Sequence, residues 1–263
     1  MDFNITHHFG KNIIEHFAHR SNIYDSFGTW VNNETLLSSI VSMLPTYPQN
    51  NASPIFIIDL GAGTGAVTKY IFTKYLAHKK ISAVDISPNM LEKILEPEIA
   101  KHIASAESLP FENRFFYVAV SRQCLHYVED LDKAINEIKR VVKEDGVFIL
   151  SQIVPMEDHY KDYWAKIINF RQPLRKHYFS EKNWVSVFTS RGFRMLNINR
   201  FSHRSSVLRW SKKYAIHNDS LIGEYKRLLL DAPEKFKMDY NVLEDKDDIH
   251  FSSFWFTAKF IIE

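Results

Sequence analysis

Two aspartates bracket a glycine-rich turn whose spacing suits a nucleoside-binding site. The sequence DLGAGTG starts at Asp59 and places glycines at positions 61, 63 and 65. Alternate glycines let the backbone turn sharply and approach a ligand closely, and a following helix N-terminus favours a carboxylate or phosphate. Asp85 comes about 20 residues later, where a carboxylate can bind both hydroxyls of a ribose. We therefore expect a ligand that contains a nucleoside.

Strands that alternate with helices would position these residues. From residue 54 onward, short apolar runs alternate with helical patterns, which predicts an α/β fold with a mostly parallel sheet and helices on both faces. Seven strands are predicted, at residues 55–60, 81–84, 102–106, 115–120, 146–153, 193–201 and 250–262. In a parallel sheet the carboxyl ends of the strands share one edge, so Asp59 and Asp85 should lie close together.

Three segments fall outside this alternation. They are an N-terminal helical arm at 1–49 and two insertions, at 154–179 and 202–248, which we expect to form a helical cap. Because the predicted strands are interleaved with these segments, we interpret residues 1–263 as one domain with a cap.

Composition excludes several classes of protein. The 263 residues carry a formal charge of +2, with Lys and Arg spread along the chain, so we expect no nucleic-acid partner. Cys124 is the only cysteine, which excludes an internal disulfide or a CxxC site. No apolar run approaches the roughly 18 residues of a membrane span, and the N-terminus lacks a signal-peptide pattern. We expect a cytoplasmic protein without a metal site.

Four stretches of the chain resemble successive motifs of class I S-adenosylmethionine (SAM)-dependent methyltransferases. They are IIDLGAGTG, AVDISPNML, ASAESLPF and RFFYVAVSRQCLHYVEDLDKAINEIKRVVKEDGVFIL. The resemblance covers residues 55–151 closely. Within the class, these residues are similar to the type 11 branch, which modifies small molecules and includes ubiquinone-, menaquinone- and biotin-pathway enzymes. It implies a Rossmann-like fold and SAM as cofactor, with S-adenosylhomocysteine (SAH) as product.

The resemblance also implies the cofactor contacts. Asp59 and the turn backbone would surround the methionine end, Asp85 would hold the ribose, and Ile86 and Met90 would flank the adenine. Ser105 stands where the family often has an aspartate that accepts from adenine, and it is a poorer acceptor. The implied cofactor-binding set is Asp59, Gly61, Ala62, Gly63, Asp85, Ile86, Met90, Ser105, Ala106, Glu107 and Ser121.

The acceptor contacts are expected from the arm, the end of the fourth strand and the first insertion. His126 is the candidate general base, because a histidine is largely neutral at pH 7; alternatively it is a wall or surface residue. The basic stretch RQPLRKHY could bind an anionic acceptor or could be a solvated face. The candidate acceptor-binding residues are Tyr24, Trp30, Arg122, His126, Tyr127, Arg171 and Arg175.

The predicted function is transfer of a methyl group from SAM to a small molecule by in-line displacement, in which proximity supplies most of the catalysis. Two alternatives remain open. Gly61, Gly63 and Ala66 also fit a G-x-G-x-x-A dinucleotide motif, so an NAD-dependent oxidoreductase is possible. A relative that binds SAM without turnover is the other. Nucleic-acid methyltransferases are disfavoured, since SRQC replaces their Asn/Asp-Pro-Pro-aromatic motif after the fourth strand.

Overall fold

A computed structural model describes residues 12–27, 30–46, 53–213 and 219–263. The predicted arm at 1–49 is therefore described only at 12–27 and 30–46, and the second insertion lacks 214–218. Among the described residues, no helix has both the length and the apolar character needed to cross a membrane.

The sheet has the predicted seven strands along its path and one short additional strand. The path runs β3-β2-β1-β4-β5-β8-β6, and β7 pairs with β8 beside it. The strands are β1 (Ile55–Leu60), β2 (Lys79–Asp85), β3 (Ile99–Ile103), β4 (Phe116–Arg122), β5 (Val142–Val154), β6 (Phe193–Ser206), β7 (Leu243–Asp245) and β8 (Asp248–Ile262). Strands β1 to β5 pair in parallel, whereas β8 is antiparallel to both β5 and β6. The mostly parallel α/β fold is thus confirmed.

Several strand predictions differ from the structure. Strand β5 begins at Val142 instead of 146, and β6 runs to Ser206 instead of 201, so that residues 202–206 are strand and not cap. The third strand spans Ile99–Ile103 instead of 102–106, because the chain turns after it and Ser105 makes an isolated bridge to Ser108. The short strand Leu243–Asp245 lies in a segment predicted to be cap, where it pairs with the first residues of β8. The sequence does not predict this strand, because all three of its residues are exposed and two of them are acidic.

Helices cover both faces of the sheet and form the additional segments. The arm contains α1 (Ile13–Arg20), α2 (Tyr24–Phe27) and α3 (Glu34–Val41), and the sheet helices are α4 (Ala66–Lys74), α5 (Pro88–Leu91), α6 (Leu131–Val141) and α8 (Glu181–Thr189). The insertions contain α7 (Lys161–Arg171), α9 (Val207–Lys213), α10 (Asp219–Leu230) and α11 (Glu234–Asp239). Side chains of Asn12, Asn33, Asp130 and Ser180 cap the N-termini of α1, α3, α6 and α8.

Separate apolar clusters form on the two faces and under the insertions. One face packs α6 and α8 against the sheet through residues such as Ile135 and Trp184, and the other packs α3 and α4 through Ile40 and Ile71. A third cluster joins α7, α9, α10 and α11 to the first half of β8, with Trp255 at its edge. The insertions therefore have an apolar core of their own beside the sheet.

Candidate active site

A cavity of about 350 Å3 lies at the carboxyl edge of the sheet, under the N-terminal arm. Its lining comes from the arm, from the turn after β1 and the start of α4, from the chain just beyond β2, β3 and β4, and from the end of the first insertion. The residues are Asn12, Ile13, Phe17, Tyr24, Trp30, Val31, Asp59, Gly61, Ala62, Gly63, Thr64, Ala66, Val67, Asp85, Ile86, Met90, Ala104, Ser105, Ala106, Glu107, Arg122, Gln123, Cys124, Tyr127, Val128, Glu129, Leu174 and Lys176.

The glycines of the turn have different physical requirements. Gly61 has a φ of 69°, and a Cβ there would overlap the Cβ and Sγ of Cys124, so this glycine permits close contact with the chain after β4. Gly63 has a φ of 56°, and a Cβ there would meet nothing within 4 Å. Its Cα therefore faces open space in the cavity, as a surface that cradles a ligand requires.

Asp85 is held in place by the same turn. Its Oδ2 accepts from the Gly63 N–H at 2.8 Å and its Oδ1 from the Ser87 N–H at 2.9 Å. Burial raises the pKa of Asp85, while these N–H donors lower it. Each carboxylate oxygen has a second lone pair for a ligand hydroxyl. The structure thus presents an oriented carboxylate at the position where a ribose is expected.

Asp59 lies one strand away from Asp85, at the end of β1, and is only 1% exposed. Burial raises its pKa to about 6, against the opposing effects of a 2.6 Å hydrogen bond from Thr68 and the nearby charge of Arg122. At neutral pH most of this carboxylate is ionised.

The chain after β2 and β3 forms the other end of the cavity. Ile86, Met90, Ser105 and Ala106 line it, in agreement with an apolar slot for a base. The Glu107 carboxylate accepts from the Asp130 N–H at 2.7 Å and from the Ser105 hydroxyl at 3.1 Å, so it also organises its own loop. Ser121, in contrast, is not in the lining; its hydroxyl donates to the Leu60 carbonyl and joins β4 to β1.

The charges in the cavity fit SAM better than a dinucleotide. Four carboxylates line it together with the open face of Gly63, those of Asp59, Asp85, Glu107 and Glu129, and the last of these is paired with Lys176. A ligand with a sulfonium and an ammonium group is attracted by such a lining, whereas a pyrophosphate beside Asp59 would be repelled. The residues present therefore fit the cofactor that the sequence motifs imply.

Polar contacts hold the N-terminal arm over this site. Thr64 of the glycine-rich turn donates to Asp25 at 2.6 Å, and Arg122 at the end of β4 donates to the carbonyl of Val31 at 2.9 Å. The Arg122 guanidinium also lies 5.3 Å from the centre of the Trp30 ring. The cavity thus brings together four of the residues that were predicted to contact the acceptor, namely Tyr24, Trp30, Arg122 and Tyr127.

Helix α1 contributes lining residues that the sequence interpretation missed. Ile13 and Phe17 line the cavity, and the Phe17 ring packs edge-on against Tyr127 at 5.4 Å. The four-residue spacing of these apolar side chains on one helix face was the available signal. Periodicity alone, however, does not tell whether such a face packs on a core or on a ligand site.

His126 is not among the cavity-lining residues. It is 0% exposed, on a 3-10 turn after β4, and its Nδ1 lies 2.9 Å from Oε1 of Gln152 on β5. Burial, with the nearby charge of Arg175, lowers its pKa well below the ordinary value. The 3-10 turn directs the His126 side chain toward β5. His126 is therefore not placed to act as a general base on the acceptor.

The basic stretch also differs in placement from the prediction. Arg175 is 3% exposed and binds within the insertion, to the His177 carbonyl at 2.9 Å and over the Trp164 ring at 5.0 Å. Arg171 ends α7, and its side chain is outside the described part of the structure. Leu174 and Lys176 reach the cavity instead, and Lys176 pairs with Glu129 at 3.0 Å. Within the described ranges, no group of three or more His, Cys, Asp or Glu side chains could hold a metal ion.

Comparison with known proteins agrees with this geometry. Residues 58–150 match the methyltransferase domain family. An uncharacterized methyltransferase of Bacillus subtilis (strain 168), YcgJ, is 27% identical over 165 residues, which are 60% of this chain and 64% of the relative. The mitochondrial arginine-hydroxylase NDUFAF5 of Homo sapiens is 37% identical over 94 residues, 35% of this chain and 27% of that protein. The matches thus span less than two thirds of these curated relatives.

Solved structures share the fold over more of the chain. The crystal structure of Bacillus subtilis YcgJ aligns with a TM-score of 0.76 at 19% identity, over 88% of this chain and 99% of that one. The geranyl diphosphate C-methyltransferase of Streptomyces coelicolor A3(2), solved with SAH, aligns with a TM-score of 0.58 at 11% identity, over 87% and 78%. Residues 58–150 are therefore a methyltransferase domain of the kind whose cofactor is SAM, and the solved structures share its fold over most of the chain.

Proposed function

We propose that this protein transfers the methyl group of SAM to a small-molecule acceptor. The observation that carries the proposal is the oriented Asp85 carboxylate beside the open face of Gly63, with buried Asp59 next to it. This arrangement supports binding of a nucleoside whose other end is cationic. The arm above it favours an acceptor small enough to lie under Tyr24 and Trp30.

The chain's own residues would act by binding, orienting and excluding water. When bound, SAM supplies a methyl group already activated on a positive sulfonium. Asp85 would hold the sugar, Asp59 would stabilise the positive end, and the aromatic residues of the arm would displace solvent. Holding two reactants in line contributes roughly 7–11 kcal/mol to lowering a barrier.

The described lining offers no carboxylate without a donor for proton removal, because Asp59, Asp85, Glu107 and Glu129 each already bind an O–H or N–H group or a cation. No histidine occurs among its described lining residues, and burial raises the pKa of the Cys124 thiol, with Asp85 and Asp59 adding to the effect. We therefore propose that the acceptor attacks through a group that is already a nucleophile near neutral pH. A carboxylate, a phenolate or a neutral amine meets this condition.

The proposal is tested by product formation, because a matched relative is named an arginine-hydroxylase and membership of the family alone does not fix the reaction. Purified protein is incubated with methyl-labelled SAM and a cell extract split by ultrafiltration. We expect SAH formation with label in a compound of the low-molecular-weight fraction. Label in retained protein or RNA would contradict a small-molecule acceptor.

Binding measurements separate the alternatives. Tight NAD binding without SAM binding would favour the oxidoreductase reading of the glycine motif. SAM binding with no SAH formed, over fractions that cover the extract, would favour a relative that binds the cofactor without turnover.

A further inference from the structure

Two charged side chains at the mouth of the cavity are accessible to solvent. The Lys176 ammonium lies 3.0 Å from Oε1 of Glu129, and the two side chains are 47% and 74% exposed. Both residues line the cavity, whereas Asp59, in the same lining, is only 1% exposed. An exposed ion pair of this kind contributes little free energy, so a charged ligand can replace either partner.

Backbone contacts hold Lys176 at this position. Its N–H donates to the His126 carbonyl at 2.8 Å, and Nε2 of the next residue, His177, lies 2.9 Å from the Val128 carbonyl. These contacts join the end of the first insertion to the chain that follows β4. Lys176 also has a smaller exposed fraction than Glu129, so solvent screens its charge less.

The charges of the lining are separated along the edge of the sheet. Three of its four carboxylates, those of Asp59, Asp85 and Glu107, lie at or just after β1, β2 and β3. The two cations of the described lining, Arg122 and Lys176, lie on the β4 side. The Arg122 guanidinium is buried and donates to backbone carbonyls of the arm. Within the described lining, Lys176 is thus the cation that a ligand can reach.

The expected cofactor increases this separation of charge. A nucleoside held by Asp85, with its cationic end at Asp59, occupies the acidic side of the cavity and leaves the β4 side for the acceptor. A second cation beside the sulfonium would be repelled, and an anion would be attracted. The charge of the cofactor and the accessible ammonium of Lys176 therefore both favour an anionic acceptor.

Apolar and aromatic side chains line the same side of the cavity. Phe17 comes from the arm, Tyr127 and Val128 come from the chain after β4, and Leu174 comes from the insertion. An acceptor that extends from the cofactor to Lys176 lies against these side chains. Burial of such surfaces favours an acceptor with an apolar body.

We infer that the acceptor is a largely apolar molecule with an anionic group, such as a carboxylate, remote from the methylated atom, and that Lys176 binds this group. This inference rests on the proposed function and specifies its acceptor class. Glu129 then takes the place of the anionic group when the acceptor is absent.

The test uses SAH-loaded protein and three probes of similar length, 4-phenylbutyrate, 4-phenylbutanamide and 4-phenylbutylamine, in calorimetric titrations. We expect 4-phenylbutyrate to bind about tenfold more tightly than the amide, and the amine to bind most weakly. Lys176→Met keeps the length of the side chain without its charge, so it should weaken 4-phenylbutyrate about tenfold and leave the amide and SAH within about twofold. Glu129→Gln removes the competing carboxylate, so it should tighten 4-phenylbutyrate about two- to fivefold.

Lys133→Met is the matched control. Lys133 is also an exposed lysine paired with a carboxylate, that of Asp130 at 3.7 Å, but it is not a lining residue. We expect this variant to bind all three probes as the wild type does.

Several outcomes would overturn the inference. Amine binding as tight as that of 4-phenylbutyrate, or tighter, would assign the contact to Glu129 instead. Equal affinities for 4-phenylbutyrate and the amide, or no binding of any probe by the SAH-loaded wild type, would also contradict it. The same holds for an unchanged 4-phenylbutyrate affinity in Lys176→Met or Glu129→Gln, and for an equal loss in Lys133→Met. Failure of the wild-type protein to bind SAH is a different result, since it would overturn the proposed function itself.

Discussion

The buried carboxylate of Asp59, which we propose contacts the cofactor, opposes folding. Its carboxylate is almost completely buried, and the Thr68 hydrogen bond and the charge of Arg122 offset only part of the burial effect. The pKa of about 6 lies above the ordinary 3.8, so the ionised form is disfavoured in the folded state. A cationic ligand would offset this cost, in keeping with the proposed role of Asp59 at the positive end of SAM.

Asp59→Asn should stabilise the protein and weaken SAM binding. An amide oxygen can still accept from Thr68, and the buried charge is gone, so we expect the free energy of unfolding at pH 7 to rise by about 1–3 kcal/mol. The wild-type penalty grows as pH rises from about 4 to about 6 and is then constant, so the gain should shrink toward pH 4. Urea titrations at pH 4, 5 and 7 measure it, and a gain independent of pH would contradict this explanation.

Asp85→Ala should weaken SAM binding by about 1–3 kcal/mol, the range for losing a partner of buried polar groups. The substitution also removes the acceptor for the Gly63 and Ser87 N–H groups, which loosens the turn. Calorimetry with SAM measures the loss. Glu98→Ala, an exposed acidic position just before β3, is the control and should bind as the wild type does.

For individual residues, the sequence predicts those positions that the local backbone geometry of a turn or a strand end determines. Asp59, Gly63 and Asp85 follow from the turn and the strand ends, and the structure places all three on the cavity. The side-chain positions of Arg175 and His126 were harder to predict, because they depend on partners that are distant in the sequence, such as Trp164 and Gln152. The role of Glu107 in holding the Asp130 N–H depends on tertiary contact in the same way.

At the scale of elements, the turn after β1 offers a matched pair of substitutions. Gly63→Ala should cost about 1–2 kcal/mol of stability, since it adds only an unfavourable φ, and should block the ligand that approaches there. Gly61→Ala should cost about 2–5 kcal/mol, since overlap with Cys124 is added to the φ cost. Chemical denaturation and SAM titration of both variants test the contrast, and equal stability losses would refute it.

The contact between the arm and the turn should control ligand exchange. Thr64→Val removes the hydrogen bond to Asp25, so the arm should open more easily. We expect SAH release to accelerate two- to tenfold, measured by stopped-flow displacement, with a smaller change in affinity. Thr73→Val is the control, because that hydroxyl bonds only to carbonyls of its own helix in the described structure. An unchanged release rate would mean that this bond does not limit opening.

Elements with strong apolar patterns were predicted well, and exposed ones were not. Strands β1 and β4 are nearly continuous apolar runs, and β5 contains such a run at 147–150, as a sheet covered on both faces requires. Strand β3 lies at the sheet edge with only Ile99 fully buried, and β7 is exposed throughout, so neither has a distinct sequence signal.

For the whole molecule, cofactor binding should appear as stability. A ligand that binds only the folded state, at 100 times its dissociation constant, adds about 2.7 kcal/mol. For a chain of this size we expect a rise in Tm of about 5–10 °C with SAH and none with NAD. Thermal unfolding monitored by fluorescence measures both, and a shift with NAD alone would reverse the assignment.

The longer insertion leaves the sheet and returns to it at two residues that are paired with each other. Ser206 at the end of β6 pairs directly with His250 of β8, and the chain between them folds on Phe251 and Trp255. Among its described residues none lines the cavity, although α9 contacts α2 of the arm. Substitutions on the exposed side of this branch therefore leave the residues that line the cavity in place. Through the contact of α9 with α2, we expect changes in this branch to alter the rate at which the arm opens while the affinity for the cofactor stays the same.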